Sequence, residues 1–196
     1  MSRYILTGTP GAGKTAILRQ LELNGYAVVE EAATDVIALE HALGNDKLSD
    51  PSAFIDKIIT LQGRRQAGMR PADLTIFFDR SPVCTLALSH YLGVAPSRLL
   101  IDNVERIVAA GTYERTVFFV QNQGFIHATA ARRISFEDSL IFERLHERIY
   151  GDLGFQIIEV PAGPLPDRVT LIQQAIERLE GHSRDGGPIG EGSALT

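Results

Sequence analysis

The sequence predicts an α/β fold in which a five-stranded parallel sheet lies between two layers of helices. Two observations predict it. The strand-length apolar runs are short and lack polar alternation, and segments of helical pattern separate them. Strands that are apolar on both faces are typical of a parallel sheet that is covered on both sides. The chain has 196 residues, of which 44% are hydrophobic, and this suits one domain with a substantial core.

Short apolar runs predict the strands, and apolar residues at helical spacing predict the helices. Asn24-Gly25 ends the first helix, whereas Pro51 and Pro82 lie in the first turns of later helices. In chain order the predicted elements are strand 3–7, helix 14–23, strand 26–29, helix 32–43, helix 51–67, strand 74–78, helix 82–92, helix 96–110, strand 116–120, helix 135–153, strand 155–160 and helix 166–179.

We expect one domain over residues 1–180 and a disordered tail over 181–196, which is rich in Gly and Ser. The net charge of −5 argues against a global basic field for nucleic acid. No apolar run reaches the ~18 residues of a membrane helix. Cys84 is the single cysteine, and we expect it to be buried because its neighbours are apolar. No signal peptide is evident, so we expect a cytoplasmic protein.

The most specific pattern is the run Gly8-Thr9-Pro10-Gly11-Ala12-Gly13-Lys14-Thr15, which follows the first strand and opens the first helix. It matches the phosphate-loop (P-loop) spacing G-x-x-x-x-G-K-S/T. In such loops the glycines let backbone N–H groups approach the phosphates of a nucleoside triphosphate. Lys14 is expected to neutralise the outer phosphates, and the Thr15 hydroxyl to bind Mg²⁺. The predicted nucleotide-binding residues are Gly8, Pro10, Gly11, Ala12, Gly13, Lys14, Thr15 and Ala16.

Ligands of parallel sheets bind at the carboxyl ends of the strands, which makes the residues after each strand candidates. Asp79 follows the third strand, where a carboxylate could hold Mg²⁺ or polarise an acceptor hydroxyl. The alternative is that Asp79 caps the next helix, a role that Ser81 could fill equally well. Arg80 could bridge substrate and phosphate oxygens, or form only a surface ion pair.

Glu30 and Glu31 follow the second strand, and two adjacent side chains cannot both face one site. A glutamate here could accept the proton of a substrate hydroxyl, and Glu31 is our preferred inward residue. The alternative is that both glutamates interact with the dipole of the next helix.

Arg132 and Arg133 lie in a polar segment, about 121–136, that precedes a long helix. We expect this segment to be a lid whose arginines bring positive charge to the transferring phosphoryl group. The alternative is that they are solvated and balance Glu137 and Asp138. His127 and His146 are expected to face solvent or to pack, without a catalytic role.

These motifs resemble the small-molecule kinase branch of the P-loop NTPase fold. Deoxynucleoside kinases have similar motifs, and their proposed base is a Glu after the second strand. The similar pieces here are the P-loop, Val28-Val29-Glu30-Glu31 and Phe78-Asp79-Arg80-Ser81. The sequence also resembles a compact AAA-type ATPase group that includes the ribosylnicotinamide kinase domain. The matching pieces are Arg132-Arg133, Glu143, Tyr150 and Leu153-Gly154-Phe155. The resemblance spans about 3–180 and implies a nucleoside/nucleotide kinase-like fold. Ala33-Thr34 departs from it, because an arginine often follows that Glu in the relatives.

The leading hypothesis from the sequence is therefore an ATP- and Mg²⁺-dependent kinase of a hydroxyl-bearing small molecule, such as a nucleoside. Its catalytic residues would be Lys14, Glu31, Asp79, Arg80, Arg132 and Arg133, and its metal ligands Thr15 and Asp79. The alternative is a regulatory ATP-binding module that signals to a partner protein. A GTPase is disfavoured because no Asn-Lys-x-Asp motif is present. No membrane or nucleic-acid partner is expected. The oligomeric state is open, with a homodimer as one alternative.

Overall fold

The structure is a computed structural model that describes residues 1–45, 50–68, 75–123 and 136–185, without the side chains of 136 and 182–185. The described residues form five strands and seven helices. The strands are β1 (Arg3–Thr7), β2 (Ala27–Val29), β3 (Ile76–Asp79), β4 (Thr116–Val120) and β5 (Gln156–Val160). The helices are α1 (Lys14–Leu23), α2 (Ala32–Ala42), α3 (Pro51–Gly68), α4 (Pro82–Tyr91), α5 (Arg98–Ala109), α6 (Phe136–Asp152) and α7 (Leu165–Asp185).

The five strands form one parallel sheet in the order β2-β3-β1-β4-β5. The predicted parallel α/β architecture is therefore confirmed. The register pairs Leu6 with Asp79, and Val120 with Val160, so the carboxyl ends of neighbouring strands meet at one edge. Because β1 is the central strand, the loop that follows it lies at the middle of this edge.

Side chains of successive strand residues enter two separate cores, as the pleat of a β-strand requires. Ile5 packs in the core covered by α3, α4, α5 and α6, whereas Tyr4 and Leu6 pack in the core covered by α1 and α7. Phe77 and Phe118 join Tyr4 in the second core, with ring centroids 5.6–6.2 Å apart. Burial on both faces explains why the inner strands β3 and β4 are almost wholly apolar, whereas the edge strand β5 carries the exposed Gln156 and Glu159.

Two boundaries differ notably from the sequence prediction, one of them at the site and the other at the predicted tail. Asp79 is the last residue of β3 instead of the first residue after it, because it pairs with Leu6 and the Arg80 N–H donates to the Leu6 carbonyl at 3.0 Å. Helix α7 continues to Asp185, beyond the expected end at Leu179, so the first residues assigned to the tail are helical. Within the described part of the chain, no helix combines the length and apolar character needed to span a membrane.

Candidate phosphate-binding and phosphoryl-transfer site

The loop between β1 and α1 requires glycine at particular positions. Gly8 has a φ of 131°, and a Cβ on it would lie 2.2 Å from the Val120 carbonyl oxygen of β4. Gly11 and Gly13 both have a φ of 88°, in the left-handed region that favours glycine. The glycine pattern of the sequence therefore reflects backbone conformation and close packing against the neighbouring strand.

The N-terminus of α1 has the properties of an anion site. Its N-cap, Gly13, provides no side-chain cap, and its first turn contains no acidic residue. By contrast, Ser81 caps α4 and Ser97 caps α5, each through a hydroxyl that accepts a backbone N–H. The first amides of a helix have no intrahelical partner, so those of α1 are suited to an anion. Thr15 and Ala16 lie exposed in this first turn.

Lys14 is held over the loop that precedes it. Its Nζ donates to the carbonyl oxygens of Gly8 at 2.9 Å and Thr9 at 2.8 Å, and the residue is buried. Burial, with a further contribution from the positive charge of Arg80, lowers the pKa of Lys14 to about 8. The charges of Asp79 and Glu31 act in the opposite direction. The ammonium group is therefore close enough to interact electrostatically with Glu31, Asp79 and Arg80.

Asp79 is buried at the end of β3, and its Oδ1 has no hydrogen-bond partner in the described part of the chain. Burial raises the pKa of Asp79, and the negative charge of Glu31 adds to this, whereas Lys14 and Arg80 oppose it. The helix-cap alternative is not what the geometry shows, because the Ser81 hydroxyl accepts the Val83 N–H at 3.2 Å. An unpaired buried carboxylate oxygen is costly unless a cation or donor joins it.

Glu31 and Arg80 form an ion pair from neighbouring strand ends. Arg80 Nε donates to Glu31 Oε1 at 2.5 Å, and the Thr34 hydroxyl donates to Oε2 at 2.9 Å. Burial acts to raise the pKa of Glu31, but the charges of Arg80 and Lys14 outweigh it and hold that pKa below its usual value. Arg80 has a φ of 72°, unlike any other non-glycine residue that the structure describes. Such outliers cluster at functional sites.

Glu30 lies on the outside of the same turn. Its side chain pairs with Arg19 and is 55% exposed, compared with 24% for Glu31. The two adjacent glutamates therefore face different environments, and Glu31 is the one beside Arg80.

Sequence reasoning missed the residue that supports this turn, Arg65 of α3. Its Nη1 donates to the carbonyl oxygens of Glu30 at 2.9 Å and Glu31 at 2.6 Å, and its Nη2 pairs with Asp35. No local signal identifies Arg65, because the adjacent Arg64 is an equal candidate by sequence. Both arginines also lie more than 30 residues from the Glu30-Glu31 turn. Arg168 of α7, which contacts the phosphate loop, was missed for the same reason.

A buried network of hydrogen-bonded side chains lies next to the site. The Tyr150 hydroxyl lies 2.8 Å from Ser81 Oγ and 3.0 Å from Cys84 Sγ, and that sulfur lies 3.1 Å from Thr7 Oγ1. Cys84 is buried, as predicted. This network connects the ends of β1 and β3 to α6. His146, also of α6, is buried and packs against Phe142, as the packing alternative predicted.

Thr15 and Asp79 are the candidate metal ligands. The described residues contain no group of three or more His, Cys, Asp and Glu that could hold a metal ion on its own. A magnesium ion at this edge would therefore depend on Thr15, on the unpaired oxygen of Asp79 and on the phosphates themselves. His127 and the lid arginines, Arg132 and Arg133, lie outside the described residues.

The fold and the loop define a P-loop protein of nucleoside kinase-like fold. The chain belongs to the AAA domain family, whose sequence model matches residues 3–168. No curated protein matches the chain.

Three solved structures of deoxyadenosine kinase from M. mycoides are similar to this chain. The structure with the products dCMP and dCDP has a TM-score of 0.59 at 16% identity, over 90% of this chain and 99% of that one. The structure with dCTP has a TM-score of 0.56 at 15% identity, over 90% and 99%. The structure with dATP has a TM-score of 0.55 at 14% identity, over 89% and 99%. At such identities the likeness is one of fold.

Proposed function

We propose that this protein is an ATP- and Mg²⁺-dependent phosphotransferase that acts on a hydroxyl of a small molecule, with nucleosides as the first class of acceptor. The observation that carries the proposal is the Glu31–Arg80 pair beside Lys14 and Asp79. A phosphate loop alone serves any use of a nucleoside triphosphate. Transfer to a hydroxyl also needs a group that accepts the proton, and the partly buried Glu31 carboxylate, held by Arg80 next to that loop, can serve as that group. The fold likeness to deoxyadenosine kinase supports the same class.

The loop and Lys14 would hold the β- and γ-phosphates of ATP, with backbone N–H groups of the loop and of the first turn of α1 as donors. Thr15 and Asp79 would hold Mg²⁺, which neutralises charge on those phosphates when bound. The buried, unpaired Oδ1 of Asp79 fits this role, because a cation there removes the cost of the isolated carboxylate. The alternative role of Asp79 is to orient the acceptor hydroxyl.

In the transfer step, the acceptor oxygen bonds to the γ-phosphorus while the bond from that phosphorus to the β–γ bridging oxygen breaks, and ADP leaves. The proton of the acceptor hydroxyl passes to the Glu31 carboxylate. The lowered pKa of Glu31 keeps this carboxylate ionised at neutral pH. Arg80 orients it, and Arg80 with Arg132 and Arg133 would stabilise charge on the transferring group. Positioning and charge are the main requirements of such a step.

The experiment is a screen for ADP formation from ATP and Mg²⁺ with nucleosides, sugars and amino-alcohols as acceptors. The expected result is one class of acceptor that raises turnover at least about tenfold above water hydrolysis. Mass spectrometry should then show one added phosphate on that acceptor, and Lys14→Met should abolish both signals. If no acceptor raises turnover, the kinase proposal is wrong and the regulatory ATP-binding module becomes the better interpretation.

A further inference from the structure

Arg168, in the first turn of α7, contacts two other parts of the structure around the site through its guanidinium group. Its Nη1 donates to the Ala12 carbonyl oxygen at 2.8 Å, and its Nη2 donates to the Gln121 carbonyl oxygen at 3.2 Å. Ala12 is in the phosphate loop, and Gln121 follows β4. The residue is only 4% exposed. Arg168 therefore ties the last helix and the end of β4 to the backbone that is expected to bind phosphate.

The bond to Ala12 also determines the direction of the next amide. The described chain contains no cis peptide bond, and the carbonyl and N–H of a planar trans peptide point in opposite directions. Holding the Ala12 carbonyl toward Arg168 therefore aims the Gly13 N–H away from Arg168. Nη1 lies 3.0 Å from the position that a Cβ on Gly13 would occupy, so the guanidinium is packed directly against this peptide.

The charge of Arg168 is not balanced by a carboxylate in the described part of the chain. None of the ion pairs found there includes it. Its Nε is buried without a hydrogen-bond partner, and burial lowers its pKa. A buried cation with only carbonyl partners is expensive, and an anion bound nearby reduces that cost.

We propose that Arg168 is a positioning residue of the phosphate loop, which orients the Ala12–Gly13 peptide so that the Gly13 N–H meets a phosphate. The bound phosphates in turn balance its buried charge. This inference rests on the nucleotide binding in the proposed function and is independent of which acceptor receives the phosphoryl group.

The test compares Arg168→Met and Arg168→Lys with Arg178→Met and Arg178→Lys. Arg178 is an exposed residue of the same helix, with an Nε that donates to the Gln174 carbonyl at 3.1 Å. We expect Arg168→Met to weaken ATP binding at least about tenfold, since it loses two charge-assisted hydrogen bonds. Arg168→Lys should lose less, because an ammonium can keep one of them. Both Arg178 variants should bind ATP as the wild type does.

A second measurement separates positioning from general destabilisation. Inorganic pyrophosphate should shift the backbone amide resonance of Gly13 in the wild type, and this shift should shrink in Arg168→Met. Thermal unfolding reports whether each variant is folded. A folded Arg168→Met with unchanged ATP affinity and an unchanged Gly13 shift overturns the inference. If Arg168→Met does not fold, the same comparison is decided by Arg168→Lys, and failure of both to fold makes Arg168 a residue of the fold alone.

The outcomes also separate this inference from the proposed function. Weaker ATP binding in Arg168→Met, together with a wild type that phosphorylates no acceptor, supports the inference and contradicts the kinase. Unchanged ATP binding in Arg168→Met, together with a wild type that does phosphorylate an acceptor, contradicts the inference and supports the kinase. A wild type that binds neither ATP nor pyrophosphate contradicts both.

Discussion

Glu31 and Glu30 are adjacent residues with opposite environments. Arg80 and Thr34 hold both carboxylate oxygens of Glu31, whereas Glu30 pairs with Arg19 at the surface. The pair therefore provides a test at the scale of one residue, with the neighbour as its control.

We predict that Glu31→Gln lowers kcat for the acceptor by about 10²- to 10⁴-fold, which is the usual effect of removing a general base. ATP affinity should change little, because the phosphate loop is intact. Glu30→Gln should keep nearly full activity. Steady-state kinetics and ATP titrations measure these effects. Equal losses of kcat in the two variants would show that Glu31 is not the base.

Lys14 provides a second prediction at this scale, based on its pKa of about 8. Bound phosphates favour the protonated ammonium, so ATP binding should be accompanied by proton uptake as the pH rises above that value. With a pKa near 8, about one tenth of the free protein keeps the proton at pH 9, and ATP should bind about tenfold more weakly than at pH 7. Calorimetry in buffers of different ionisation enthalpy measures the uptake. An affinity independent of pH would contradict the prediction.

At the scale of elements, the site depends on contacts between helices and strand ends. Arg65 places α3 against the turn between β2 and α2 by binding the carbonyl oxygens of Glu30 and Glu31. Ser81 caps α4 and contacts Tyr150 of α6. The Arg65 contacts hold the backbone that carries Glu31, and the Ser81 contacts hold the residue next to Arg80. Helix packing and site geometry are therefore linked.

We predict that Arg65→Met lowers kcat/KM for the acceptor about tenfold, because the turn that carries Glu31 loses two charge-assisted hydrogen bonds. The free energy of unfolding should also fall, by about 1–3 kcal/mol. Arg64→Met is the matched control, since Arg64 is exposed and precedes Arg65 directly. Urea unfolding and steady-state kinetics measure both effects. A similar response in the two variants would remove the assigned role of Arg65.

At the scale of the whole molecule, stability should depend on pH through the buried His146. Its Nδ1 bonds to the Phe142 carbonyl at 2.8 Å, and its Nε2 has no partner among the described residues. Burial, with smaller contributions from Arg80 and Lys14, lowers its pKa from 6.5 to about 3. The native protein therefore keeps this imidazole neutral, while the unfolded chain protonates it below pH 6.5.

Well above pH 6.5, His146 is neutral in both states and does not lower the free energy of unfolding. As the pH falls from 6.5 toward 3, protonation of His146 in the unfolded chain progressively lowers that free energy. Between pH 7 and pH 5 we predict a loss of about 2 kcal/mol in the free energy of unfolding from His146 alone. Urea unfolding of the wild type and of His146→Gln at both pH values isolates this contribution from the other titrating groups. If the two proteins lose the same free energy, the pKa of His146 is not lowered as stated.

Much of the fold follows from patterns that lie close together in the chain. Apolar runs without polar alternation predicted five parallel strands, and the sheet confirms them. The loop spacing, with helix α1 directly after it, is also local, and it placed the expected phosphate site at the end of β1. Strand length, helical period and glycine conformation depend on neighbouring residues, so the sequence alone could determine them.

The partners within the site were decided only by the tertiary structure. The Glu31–Arg80 pair joins residues 49 positions apart, and the bond from Arg168 to Ala12 spans 156 positions. Nothing near Arg65 or Arg168 in the chain distinguishes them from other arginines. Their roles depend on which strand ends the sheet order brings together and on which groups burial leaves without water. Such contacts depend on the sum of packing over the whole domain, which no local pattern contains.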